Sequence, residues 1–191
     1  MAIDLSILQR CIDNDQRALK QLYEYSFCRL MPLCVRYHNN QEDARASLNI
    51  AFMKIVQNLP SMEFEKFNYE AWSKRIMTNT LIDEYRKQKL RNEHYIKKET
   101  ERELDNISEA VTNEGMENLN HEFLMKLLQQ LPETTRMVFN LHVVEGYGHK
   151  EISEMLSIPE GTSKWHVSNA RKLMKELLEK VLNKTTLDEF I

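Results

Sequence analysis

The sequence predicts an all-α protein: two small helical domains joined by an acidic flexible linker, the second containing a helix-turn-helix. Three observations lead there. Only four Gly and four Pro punctuate 191 residues, while Leu, Glu, Lys and Met are abundant, a composition that favours helices over strands. Apolar residues recur at three- and four-residue spacing through most of the chain, the period of one helix face. From about Arg91 to His121 that pattern fades, with Gly115 and several Asn interrupting it, so the segment buries too little to order itself. The expected division is a first domain over 1–91, a linker over 92–121, a second domain over 122–184 and a tail over 185–191.

In the first domain, Leu5, Leu8 and Ile12 mark a short amphipathic helix closed by Asp13-Asn14. Asp15 is placed to cap the next helix, which carries Ala18, Leu19, Leu22, Phe27 and Leu30. Pro32 lies inside that stretch, and a kink or break is expected near Met31. Asn39-Asn40 make the next turn. Ala44, Leu48, Ala51, Phe52, Ile55 and Leu59 then hold one face of a third helix. Its opposite face (Glu42, Arg45, Asn49, Lys54) is polar and open to another protein. Pro60 and the loop through Lys66 end it. A long fourth helix runs from Phe67 to Leu90, with Ala71, Trp72 and Ile76 expected inward. Four helices with short loops can share one core.

In the second domain, Leu124, Leu127, Leu128 and Leu131 restart a helix that ends at Pro132. Met137, Val138, Leu141 and Val144 give another, stopped by Gly146-Tyr147-Gly148. Gly148 can cap the short helix of Ile152, Met155 and Leu156. After the break Ser157-Ile158-Pro159-Glu160-Gly161, Pro159 suits the first turn of a new helix. That helix runs through Trp165, Val167, Ala170, Leu173, Leu177 and Leu178, and the two together have helix-turn-helix form. Its outer face is expected to offer Ser163, Lys164, His166, Ser168, Arg171, Lys172 and Lys175. Trp165 is open between packing beneath Ile152 and Leu156 and lying outward on a thymine methyl.

The net charge of -3 hides a strong segregation. Residues 74–91 and 162–184 each sum to +4, whereas 93–122 sum to -6. Charges are screened within about 8–10 Å in physiological salt, so local sums govern attraction to phosphate. Cys11, Cys28 and Cys34 fit no metal-ligand spacing and read as small buried residues of a reducing compartment. The six His are scattered, and no nucleophile, carboxylate pair or phosphate-cradling loop stands out. Neither a catalytic site nor a cofactor or metal is expected. No apolar run approaches membrane-spanning length, and Met1-Ala2-Ile3-Asp4 lacks the pattern of a signal peptide. A cytoplasmic protein without membrane insertion is expected.

The stretch Glu70-Ala-Trp-Ser-Lys-Arg-Ile-Met-Thr-Asn-Thr-Leu-Ile-Asp-Glu-Tyr-Arg86 is the strongest motif of the first half. In the second half, Leu131-Pro132, Arg136, Gly146, Glu151-Ile152 and the run from Gly161 to Arg171 accompany the helix-turn-helix. Together these resemble the extracytoplasmic-function sigma factors of the bacterial RNA polymerase sigma-70 family, over about Ile7 to Leu182. The resemblance implies a factor that recognises and opens promoter DNA, with RNA polymerase core, promoter DNA and an anti-sigma factor as partners. It implies polymerase binding by Asp43, Arg45, Asn49 and Phe52. It implies minus-10 recognition by Lys74, Arg75, Asn79, Asp83, Arg86 and Lys87, and minus-35 reading by the outer face of the last helix. Three positions depart from the family pattern: Ala46 for a usual Asp, Asn49 for a usual Gln, and Ser73 for a usual Leu. Asn79, read from chemistry alone, serves equally a base edge or solvent and backbone. A sigma-like decoy that holds an anti-sigma factor and a plain helix-turn-helix repressor are the alternative functions.

Overall fold

The computed structural model describes residues 3–63, 68–95 and 121–188, and all the regular structure among them is helical. The loop toward Lys66, nearly all of the expected linker and the end of the tail lie outside the described residues. The chain divides into two compact units, Met1–Lys89 and Leu90–Ile191.

The first unit starts with α1 (Leu5–Ile12), whose first turn is capped by the Asp4 carboxylate accepting from the Ser6 amide at 3.1 Å. Asn14 takes a left-handed conformation (φ 60) that turns the chain into α2 (Gln16–Tyr37). Asp15 caps α2 as expected, accepting from the amides of Arg17 and Ala18 at 2.8 and 3.3 Å. Of the kink or break expected near Met31, the break does not occur, because α2 runs through Pro32. Pro32 is exposed while Leu30, Leu33 and Cys34 beside it are buried, so packing on both sides offsets the hydrogen bond that proline removes. Cys11 and Cys34 are buried as expected, but Cys28 lies on the exposed side of α2.

Asn40 caps α3 (Gln41–Asn58), and a 3-10 turn over Leu59–Ser61 closes it. Ala44, Leu48, Ala51, Ile55 and Leu59 are fully buried, the stripe the periodicity predicts. Ser47 is buried with them, and Phe52 sits at the margin.

Helix α4 (Tyr69–Tyr95) extends past the expected domain edge at Arg91. Its inward register also differs from the prediction. Ala71 is exposed, and Trp72 and Ile76 are half-buried. Tyr69, Ser73, Met77, Leu81 and Tyr85 form the inward row instead, with Thr78, Thr80 and Ile82 beside them. Buried hydroxyls explain the error. The Ser73 hydroxyl donates to the Glu70 carbonyl and that of Thr80 to the Ile76 carbonyl, at 3.3 and 2.8 Å, so each is satisfied inside the helix and tolerates burial.

Polar clasps fix α4 to its neighbours. The Ser26 and Tyr69 hydroxyls share a 2.6 Å hydrogen bond, and the Tyr25 hydroxyl donates to the Glu70 carboxylate. Ser47, buried in α3, bonds both His38 and Glu84. Cys34 and Met77 bring their sulfurs to 3.4 Å.

The second unit comprises α5 (His121–Gln129), α6 (Glu133–Phe139), a π-helical turn over Asn140–Val144, α7 (His149–Leu156) and α8 (Glu160–Asp188). Leu127, Leu128 and Leu131 are buried, but Leu124 is 45% exposed and Met125 takes its place inside. Val144 is exposed too, because the wider π turn rotates it out of the stripe begun by Met137, Val138 and Leu141. Helix α8 carries on beyond the expected tail boundary at Lys184, since no Gly or Pro interrupts 162–188.

The burial pattern makes a stability contrast on one helix. Leu48→Ala should cost the first unit about 2–5 kcal/mol, the usual range for emptying a packed leucine site. Met53→Ala, on the exposed side of the same helix, should change stability by less than about 0.5 kcal/mol. Urea unfolding of the two variants checks this, and equal losses would contradict the assigned register.

Candidate nucleic-acid interface

The helix-turn-helix is set by local chemistry before α8. The Asn140 side chain is fully buried, its amide donating to the Arg136 carbonyl at 3.0 Å. The Glu145 amide reaches back to the Asn140 carbonyl at 2.9 Å and the Tyr147 amide to that of Leu141 at 2.9 Å. Gly146 makes the reversal possible at φ +82, a conformation that strains residues with a Cβ. Arg136 is buried, and its guanidinium donates to the Gln129 carbonyl at 2.9 Å, a favourable place for a cation at the end of α5. Burial pulls the Arg136 pKa down.

Gly148 opens α7, and its amide donates to the Glu151 carboxylate at 2.7 Å. Ile152 and Leu156 are buried as predicted. Ser157 ends α7 in the left-handed region (φ 52), a conformation that costs a non-glycine residue roughly 1 kcal/mol. The turn is held by Ser153, whose hydroxyl donates to the Ile158 carbonyl at 2.6 Å.

Helix α8 then has two distinct faces. Ser163, Val167, Ala170 and Leu177 are buried. Lys164, Trp165, Ser168, Arg171, Lys172 and Lys175 are exposed, and His166 is half-buried with its ring nitrogen 3.0 Å from the Thr135 hydroxyl. Ser163 is therefore misplaced on the predicted outer face. It is fully buried, 3.0 Å from the His149 ring, and ties the first turn of α8 to the start of α7. The alternative for Trp165 resolves outward, at 58% exposure.

The cations of the outer face are partnered within the helix. Lys164 lies 2.6 Å from Glu160, Lys172 3.8 Å from Glu176 and Lys175 3.7 Å from Glu179. Lys164 also holds the Glu160 carboxyl below its usual range, chiefly by hydrogen bonding. Such exposed one-turn pairs are weak, so a phosphate can displace them. Arg171 has no ion pair among the described residues.

On α4, Lys74, Arg75, Asn79 and Lys87 are exposed, and Asn79 makes no side-chain hydrogen bond among the described residues. Asp83 instead pairs with Lys54 of α3 at 3.2 Å, and Arg86 is half-buried. On α3, Arg45 is exposed beside a groove lined by Gln41, Glu42, Arg45, Ala46 and Asn49. Three other expected contacts are engaged internally. Asp43 and Asn40 exchange hydrogen bonds of 2.8 Å in the helix cap, Asn49 accepts from the Tyr23 hydroxyl at 2.9 Å, and Phe52 packs edge-on against the Tyr23 ring at 5.0 Å. The outer side of α3 also carries exposed Ile50 and Met53. Sequence periodicity missed them because they lie off the buried stripe.

Residues 22–91 match Sigma-70 region 2, and residues 122–174 match Sigma-70, region 4. RNA polymerase sigma factor SigZ of Bacillus subtilis (strain 168) is 31% identical over 144 residues, covering 74% of this chain and 76% of SigZ. The chain belongs to the sigma-70 family. ECF RNA polymerase sigma factor SigW of the same organism is 26% identical over 177 residues, covering 86% of this chain and 91% of SigW. Among solved structures, the sigma factor RpoE in complex with the anti-sigma factor NepR from Bartonella quintana is 22% identical, with a TM-score of 0.49 over 84% of this chain and 96% of RpoE. This sigma factor directs transcription to promoters. Among the described residues no helix is long and apolar enough to cross a membrane.

One titration bears on the geometry of this sigma factor. The His142 and His149 rings stack at 4.1 Å, with a His142 ring nitrogen 2.8 Å from the Tyr147 carbonyl. Burial, then the charges of His142 and Lys164, lower the His149 pKa against an opposing pull from Glu160. The fold thus favours neutral His149. That stability is complete above the ordinary histidine pKa near 6.5 and is lost as pH falls below it. The melting temperature of the second unit should drop from pH 7.5 to pH 5.5, and His149→Gln should shrink the drop. An undiminished drop in His149→Gln would contradict the role given to that ring.

Proposed function

We propose that this sigma factor reads the minus-35 element with the outer face of α8, engages the minus-10 element with the outer face of α4, and meets RNA polymerase core through α3. The observation that carries the reading is the two-faced build of α8. A buried side pins the helix, and Lys164, Ser168, Arg171, Lys172 and Lys175 project from the other. A recognition helix addresses base edges with its N-terminal part, while later basic residues fix it on phosphates. Lys164, Ser168 and the half-buried His166 are the base-reading group. Lys172 and Lys175 are phosphate contacts, and Arg171 serves either.

On α4, Lys74, Arg75, Arg86 and Lys87 hold phosphates. Asn79, with both amide functions open, bonds an unstacked base. Asp83 acts on DNA only indirectly, by holding Lys54. Toward polymerase, Arg45 supplies charge and the exposed Ile50 and Met53 supply apolar area, while Asp43, Asn49 and Phe52 position α3. The protein works in the cytoplasm without catalysis of its own, and an anti-sigma factor competes for these surfaces. The internal bonds of Asp43 and Asn49 favour, as a second reading, a decoy that holds an anti-sigma factor without driving transcription.

Holoenzyme carrying Asn79→Ala should bind promoter duplex nearly normally yet open it poorly, as read by permanganate reactivity of the melted strand. Normal opening removes Asn79 from the mechanism. In a promoter library, Lys164→Ala should change the preferred minus-35 sequence, by about 1–3 kcal/mol of discrimination. Lys175→Ala should weaken all sequences alike and lower the salt slope by about one. Exchange of those two phenotypes would overturn the docking.

A further inference from the structure

We propose that Trp165 reads thymine in the minus-35 element by laying its indole against the C5 methyl group in the major groove. The proposal rests on the placement of α8 in that groove given above. Trp165 is 58% exposed, whereas Val167, Ala170 and Leu177 of the same helix are buried. The folded unit therefore leaves this large apolar ring in solvent at the end of the helix that meets bases.

Among the described residues the ring contact of Trp165 is with its neighbour His166, edge-on at 4.9 Å, and His166 is itself held by Thr135 at 3.0 Å. One turn earlier stands Gly161, where a Cβ would meet nothing within 4 Å. Helical side chains lean toward the turn before them, so the indole leans toward a position that carries no side chain. Lys164 beside Trp165 and Arg171, Lys172 and Lys175 farther along α8 are exposed cations, three of them in weak one-turn pairs that a phosphate can displace, which suits a polyanion as the occupant. In the major groove of DNA the apolar feature is the thymine methyl, and the remaining base edges are hydrogen-bonding groups. An indole has one donor and no acceptor, so its selectivity comes from the methyl contact.

The test uses RNA polymerase holoenzyme containing the full chain and a duplex bearing the minus-35 sequence that this holoenzyme selects from a random library. Each thymine is replaced singly by deoxyuridine, which removes only the methyl group, and Kd is measured. Wild type should lose affinity about three- to fivefold at one or two adjacent thymines, the scale of one buried methyl group. Trp165→Ala should bind thymine and uracil alike at those positions, and Trp165→Phe should keep part of the difference. The proposal is overturned by a selected element without thymine, by uridine-insensitive wild type, or by unchanged sensitivity in Trp165→Ala. A duplex with a scrambled minus-35 element separates the two levels. Undiminished binding to it defeats the docking of α8 itself, whereas loss on scrambling with indifference to uridine defeats only the role of Trp165.

Discussion

The burial of one side of α8 is the constraint on which the proposed DNA-facing surface depends. Successive residues of a helix point about 100° apart, so rotation by a single position would replace Lys164, Ser168 and Arg171 with a different set. Val167, Ala170 and Leu177 resist that rotation by packing. Ser163 adds direction to the packing, because its hydrogen bond to His149 has one geometry and apolar contacts have many. The π turn, Gly146 and the Glu151 cap set the start of α7, and α7 in turn sets the start of α8. A chain of local backbone requirements thus ends in the orientation of a few exposed side chains.

The first unit solves the same problem with more polar material. Helix α4 is poor in large aliphatic residues, yet its inward row from Tyr69 to Tyr85 is buried. Hydroxyl pairs and short carboxylate contacts from Ser26, Ser47 and Tyr25 lock it in place. The Ser26–Tyr69 bond among them is buried, and a buried hydrogen bond is strongly directional and costs more to leave unmade than it gains when made. This holds the register of a helix whose outer side exposes Lys74, Arg75 and Asn79, the residues proposed to meet nucleic acid.

Much of this was legible in the sequence, and the failures share a cause. The helices of the first unit, the Asp15 cap, the buried stripe of α3 and the helix-turn-helix follow from apolar spacing and capping chemistry. The inward row of α4 did not, because Ser73 and Thr80 are polar residues that satisfy their hydroxyls on backbone carbonyls of their own helix and so tolerate burial. Ser163 went wrong for the same reason, its partner His149 being a neighbour only after the turn has formed. Pro32 does not end α2, since the buried residues on either side keep the helix continuous. The engagement of Asn49 with Tyr23 and of Asp83 with Lys54 joins residues distant in sequence, and no local pattern carries such pairs. Family resemblance supplied the expected roles, and the fold showed which of those residues are exposed.

Transcription from a pool of promoter fragments, with purified core RNA polymerase in the presence and absence of this chain, tests the central claim most directly. The account predicts discrete transcripts that appear only with the chain, from fragments sharing a minus-35 and a minus-10 element. A chain that binds core polymerase or an anti-sigma factor yet yields no promoter-specific transcript from any fragment would contradict it.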